Sequence, residues 1–143
     1  MISGERAFRP DRFQDIDQVV EACWRLVEPE LLRQGYGEVL PKIRMVLGEA
    51  IINAWKHGNR RQPDLPILFR WRLANDFCFE VIDAGAGFNF RALPDPTRDE
   101  GLIAETGRGL FIIKSFASSV GWQKRGRHLI VTFARPHRSG HAP

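Results

Sequence analysis

Apolar residues recur at helical spacing through Phe13, Ile16, Val19, Val20, Cys23, Trp24 and Val27, the pattern of a helix with one buried face. Asp11 and Asp15 are suitable residues to start it. Pro29 is expected to end or bend this helix, because proline lacks an N–H and crowds the preceding turn. Leu31 and Leu32 extend it by a turn, and Gln34-Gly35-Tyr36-Gly37 closes it. Ile43, Val46, Leu47, Ala50, Ile51 and Ala54 mark the apolar face of a second helix. Glu38 and Pro41 fall in its opening turn, where proline is tolerated, and Gly58-Asn59 ends it.

Elsewhere the period is two. Residues 6–10 form a short edge strand, and residues 66–73 and 77–83 alternate as strands around the turn Asn75-Asp76, so the pair reads as a hairpin. A glycine-rich turn, Ala84-Gly85-Ala86-Gly87-Phe88, follows. Residues 89–106 are polar and rich in proline, which predicts a functional or mobile loop. Gly107-Arg108-Gly109 then opens a helix over 110–117, and strands at 119–124 and 128–134 complete the pattern. The order predicts an α+β fold: a two-layer sandwich, its sheet mixed but mainly antiparallel, with the helices on one face. One domain is expected over residues 1–136, with a disordered tail at 137–143.

Composition narrows the function classes. The chain has 143 residues, 43% of them hydrophobic, enough for one core without staples. No apolar run approaches the ~20 residues of a membrane span, and the N-terminus lacks the apolar stretch of a secretory signal. A cytoplasmic protein without membrane contact is expected. Cys23 and Cys78 have no metal-ligand spacing, which argues against a disulfide framework or a CxxC zinc site. The net charge is +4, unevenly placed: after Glu105 come Arg108, Lys114, Lys124, Arg125, Arg127, Arg135 and Arg138, with no acidic residue among them. Such a segment suits a nucleic acid, an acidic partner or a polyphosphate. Its basic residues alternate with apolar ones as in a solvated sheet, so no direct nucleic-acid contact is expected.

Three clusters carry candidate chemistry. Glu49, Asn53, Lys56 and His57 lie on the second helix; at ~100° per residue they share a stripe about a quarter-turn wide. A solvated helix face has the same pattern. The functional alternative is an oxygen ligand for a hard cation at Asn53, with Glu49 placed to activate a hydroxyl or water. Asp83 ends a buried-looking strand, followed by Gly85 and Gly87. The glycines permit close backbone approach to a ligand, although a tight turn leaving a sheet reads the same way. Gly107-Arg108-Gly109-Leu110 precedes a helix, where free N–H groups attract phosphate and Arg108 adds a charge-assisted donor. A hinge beside an exposed arginine has the same residues. No G-x-G-x-x-G or Walker A loop is present.

In combination, E-x-x-x-N-x-x-K-H-G-N on a helix, D-x-G-x-G-F after a strand, a long loop and G-R-G-L-F-I-I at a helix start resemble the GHKL (Bergerat-fold) ATP-binding superfamily. Within it, the chain resembles anti-sigma-factor serine/threonine kinases of the RsbW type, nearly end to end, including P-D-P-T in the loop. The resemblance implies that Asn53 binds Mg²⁺ and that Glu49 is the general base. It places Lys56 and His57 near the phosphates of ATP. It makes Asp83 the acceptor of the adenine amino group, with Gly85, Gly87 and Phe88 beside the base. It makes residues 89–106 a lid and Gly107, Arg108, Gly109 and Leu110 a phosphate cradle. The implied partners are a sigma factor and an anti-anti-sigma protein of the STAS fold, and a homodimer is compatible with the family. The second glycine box is shorter than in histidine kinases, and no histidine-bearing dimerisation helix is seen. A nucleotide-binding regulatory module without kinase activity is the alternative.

Overall fold

A computed structural model describes residues 1–85, 105–123 and 127–137. The predicted lid, except for its last two residues, and the sites Gly87 and Phe88 lie outside the described residues.

Five strands form one sheet in the order β1-β2-β3-β5-β4: β1 Ile2–Phe8, β2 Ile67–Leu73, β3 Asp76–Asp83, β4 Ser119–Gln123 and β5 His128–Ala134. Every described pairing is antiparallel. The helices are α1 Ile16–Arg33, α2 Leu40–Asn53 and α3 Glu105–Phe116. The architecture is thus α+β, as expected.

The edge strand differs from the pattern and α1 keeps its extension past Pro29, each for a physical reason. The edge strand begins at Ile2 and stops at Phe8, and Pro10 enters a 3₁₀ turn. Its register, from Ile2 opposite Leu73 to Phe8 opposite Ile67, comes from pairing with β2, which local periodicity does not encode. Proline cannot continue that ladder. Helix α1 runs through Pro29 to Arg33. Pro29 is exposed, while Val27 and Leu31 on either side of it are fully buried. Packing of those two side chains offsets the missing backbone bond. At the other end of α1, the Asp15 carboxylate accepts from the Gln18 amide at 3.0 Å, a regular N-cap.

The core lies between the helices and one face of the sheet. Phe69, Phe77, Phe79 and Val131 project from the strands against Val19, Leu47, Ile51 and Ile113 of the helices. Cys23 is buried there, and burial pushes its thiol up to about 12, so it acts as a small apolar group. The other face of the sheet carries a charged row. Arg70 meets Glu5 at 3.2 Å and Glu80 at 3.5 Å, and Glu80 meets His128 at 2.7 Å. Four strands contribute, and strict alternation along each keeps this row separate from the core.

Candidate functional site

Helix α2 delivers its functional residues from a buried base. Gly48, Ala50 and Ile51 are in the core, so Glu49 and Asn53, one turn apart, are held at its edge. Glu49 is half-buried and Asn53 is 8% exposed. The regular helix then stops. Residues Ala54–Gly58 form a π-turn, closed by the Asn59 N–H donating to the Ala54 carbonyl at 2.8 Å. Lys56 and His57 therefore sit on a wider coil than the predicted continuous helix. Such single π-turns are frequent at functional sites.

Glu49, Asn53, Lys56 and His57 still face one cleft of about 280 Å³. Helix α3 contributes Arg108 and Gly109 to its wall, and the first turn of α1 contributes Ile16 and Asp17. A Cβ at position 109 would come within 2.7 Å of the Glu49 carboxylate; glycine lets α3 approach α2 this closely. Helix α3 begins at Glu105, so the glycine box lies within its first turn and not ahead of it. Most N–H groups of a first turn still lack intrahelical partners. Leu110 is buried and anchors α3 in the core.

Asp83 and Gly85 do not line this cleft. They lie behind the π-turn, in direct contact with its last residue. A Cβ at Gly58 would overlap the Asp83 carboxylate, and one at Gly85 would overlap the Gly58 carbonyl. The Asp83 carboxylate is 4% exposed and accepts from the Gly85 amide at 2.9 Å. Burial pushes its pKa above the usual carboxylate value, while the Gly85 amide and the Arg127 guanidinium pull it down. A buried carboxylate so placed is a strong acceptor for an amino group that reaches it.

Asn59 is the residue whose importance the sequence reading missed. Its pattern marks a helix end, yet it is 1% exposed and its side chain joins the π-turn to two other backbone segments. A Gly-Asn pair has that C-terminal signature in any case; the further signal was that Asn59 closes the E-x-x-x-N-x-x-K-H-G-N motif. Trp24 is buried in the core as its pattern indicated, and Trp71 stacks on Phe69. A larger hollow, about 670 Å³, lies on the outer sheet face among Glu5, Arg70, Cys78 and Glu80, and none of the predicted site residues lines it.

The cleft combines hard oxygen donors with cationic side chains, beside a buried carboxylate. That donor set suits a cation-bound polyanion carrying an amino-substituted ring. No curated protein matches the chain. A family model for the histidine kinase-like ATPase domain matches residues 8–134. That match, spanning β2 to β5 and all three helices but only the last residue of β1, agrees with the antiparallel sheet and its helical layer, and the chain belongs to the histidine kinase-like (GHKL) ATPase family as an ATP-binding domain.

Proposed function

We propose that the protein is a Mg·ATP-dependent serine/threonine kinase that also sequesters a sigma factor, and that its phosphoryl acceptor is a STAS-type anti-anti-sigma protein. The observation that carries this reading is the shared cleft of Glu49, Asn53, Lys56, His57 and Arg108, next to the buried Asp83. The resemblance of the sequence, over residues 6–135, to anti-sigma kinases suggests the partners.

The residues fit the nucleotide. No group of three or more His, Cys, Asp or Glu able to hold a metal occurs among the described residues. Mg²⁺ needs no such cage, because it keeps phosphate and water oxygens and takes few from protein. Asn53 would provide one such oxygen. Lys56, His57 and Arg108 would neutralise the phosphates, and Asp83 would accept from the adenine amino group. When bound, Mg·ATP supplies a transferable γ-phosphoryl group. Glu49 would orient an incoming serine or threonine hydroxyl and take its proton, a contribution of roughly 10²–10⁴-fold in rate. The rest of catalysis would be positioning and charge neutralisation. The protein would act in the cytoplasm, and ATP or ADP in the site would set which partner is held.

The test is calorimetric titration of Mg·ATP into the wild type and Asp83→Asn, followed by transfer of labelled phosphate to a STAS-domain protein by the wild type and Glu49→Ala. Binding lost in Asp83→Asn, with transfer lost but binding kept in Glu49→Ala, is expected. Transfer by Glu49→Ala at the wild-type rate would remove Glu49 as the base. Binding without transfer by the wild type would leave a nucleotide-gated module.

A further inference from the structure

Asn59 uses its whole side chain. Its Oδ1 accepts from the Ala84 amide at 2.8 Å, and its Nδ2 donates to the Leu65 and Pro66 carbonyls at 3.3 and 3.1 Å. An amide nitrogen has two protons to give, and both are engaged. Its backbone N–H closes the π-turn on Ala54, and its carbonyl accepts from Gln62 at 3.0 Å. One buried residue thus ties the end of the π-turn to the segment entering β2 and to the turn leaving β3.

The position of that junction matters. On one side is Gly58, in contact with the Asp83 carboxylate. On the other are Ala84 and Gly85, whose amides are held by Asn59 and by Asp83 respectively. The next residues, Arg60 and Arg61, have φ of 52° and 58°. Two consecutive non-glycine residues in the left-handed region are strained, and such conformations persist only where surrounding contacts over-determine them. Asn59, with its full set of hydrogen bonds, is one such contact, beside the Arg61 amide that donates to the Trp55 carbonyl at 2.8 Å.

We propose that Asn59 is a positioning residue for base selection: it clamps the π-turn onto the end of β3 and so holds the Asp83 carboxylate where it distinguishes a 6-amino purine from a 6-oxo purine. This rests on the reading that Asp83 accepts the adenine amino group. A carboxylate loses that donor against a 6-oxo base and meets an acceptor there, so selectivity depends on the carboxylate staying in place. Without the Asn59 bridge, the Ala84 amide and the two carbonyls lose their partner, and the Asp83–Gly85 turn is no longer tied to Gly58.

The experiment titrates Mg·ATP and Mg·ITP into the wild type, Asn59→Ala and the similarly sized Asn59→Leu, with near-UV circular dichroism to establish the fold of each. The wild type is expected to prefer ATP by about tenfold or more, the gain of one hydrogen bond to a charged group. In whichever variant folds, the ratio is expected to fall to within about threefold, chiefly through weaker ATP binding. A folded variant with the wild-type ratio, even at lower affinity for both nucleotides, overturns the proposal. If neither variant folds, Asn59 is a structural residue and the proposal also fails. A wild type without ATP preference would instead refute the Asp83 reading beneath it.

Discussion

The two halves of the site are built differently. Around Asp83 everything is close-packed: the carboxylate is buried, Gly58 and Gly85 leave no room for a Cβ, and Asn59 spends every polar atom of its side chain on neighbouring backbone. Around Glu49 the groups, apart from the buried and neutral Asn53, are mostly charged and partly exposed, and they are spread over α1, α2, the π-turn and α3, lining an open cleft. A rigid end suits recognition of one ring with a fixed donor, since an unpaired buried acceptor is costly. A looser charged end suits phosphates, whose contacts are less directional and whose charge changes during transfer. Substitutions should therefore act through geometry in the first half and through charge in the second.

The largest effect is expected from Gly85→Ala. The added methyl would overlap the Gly58 carbonyl, a backbone group that cannot swing aside, so the turn must open. Overpacking of this kind costs about 1–3 kcal/mol. A lowered melting temperature and loss of measurable Mg·ATP binding are the expected outcome, and unchanged affinity would show that the Asp83 end is not rigid. Next comes Arg108→Ala, on the charged side. Loss of a charge-assisted contact to phosphate predicts about tenfold weaker ATP binding, with AMP affinity unchanged and the melting temperature preserved, because Arg108 is exposed. Equal losses for ATP and AMP would place Arg108 outside the phosphate end.

Asp83 offers a finer probe through pH. Burial raises its pKa in the folded state, so the native protein binds more protons than the unfolded chain between the ordinary carboxylate value and the raised one. Stability is then expected to fall as pH rises through that window. Asp83→Asn should flatten this part of the profile, read by chemical unfolding at several pH values; an unchanged slope would assign it to another group. The smallest effect is expected at the edge of the rigid half. Arg60→Gly relieves a left-handed φ of 52°, while glycine makes the unfolded chain more flexible. A net gain of under about 1 kcal/mol is expected from denaturant unfolding, without change in ATP affinity. A loss of stability would mean that the Arg60 side chain contributes more than its backbone strain costs.

Much of this molecule is legible from period and punctuation. The hairpin of β2 and β3 follows from strict alternation around Asn75-Asp76, and β3 begins at Asp76 itself. The apolar stripe names the buried hydrophobic residues of α2, Ile43, Val46, Leu47, Ala50 and Ile51, and Ala54 of the π-turn after it. Local pattern also located Glu49, Asn53, Lys56 and His57 on one side of a helix, and they do face one cleft. It also extended α1 past Pro29 to Leu32, but whether Pro29 breaks the helix there was decided by the core around Val27 and Leu31.

The apolar periods and their order along the chain were enough to establish the α+β class, because it depends on which side chains must leave water, and the family was legible only through the resemblance of the polar and glycine motifs to a known one. The π-turn, the seat of Asp83 behind Gly58 and the bridging role of Asn59 emerge only on folding. The π-turn is local but is pinned at its end by Asn59, and the other two are contacts between segments distant in sequence; they arise because a buried polar group must find its partner wherever the packed chain supplies one.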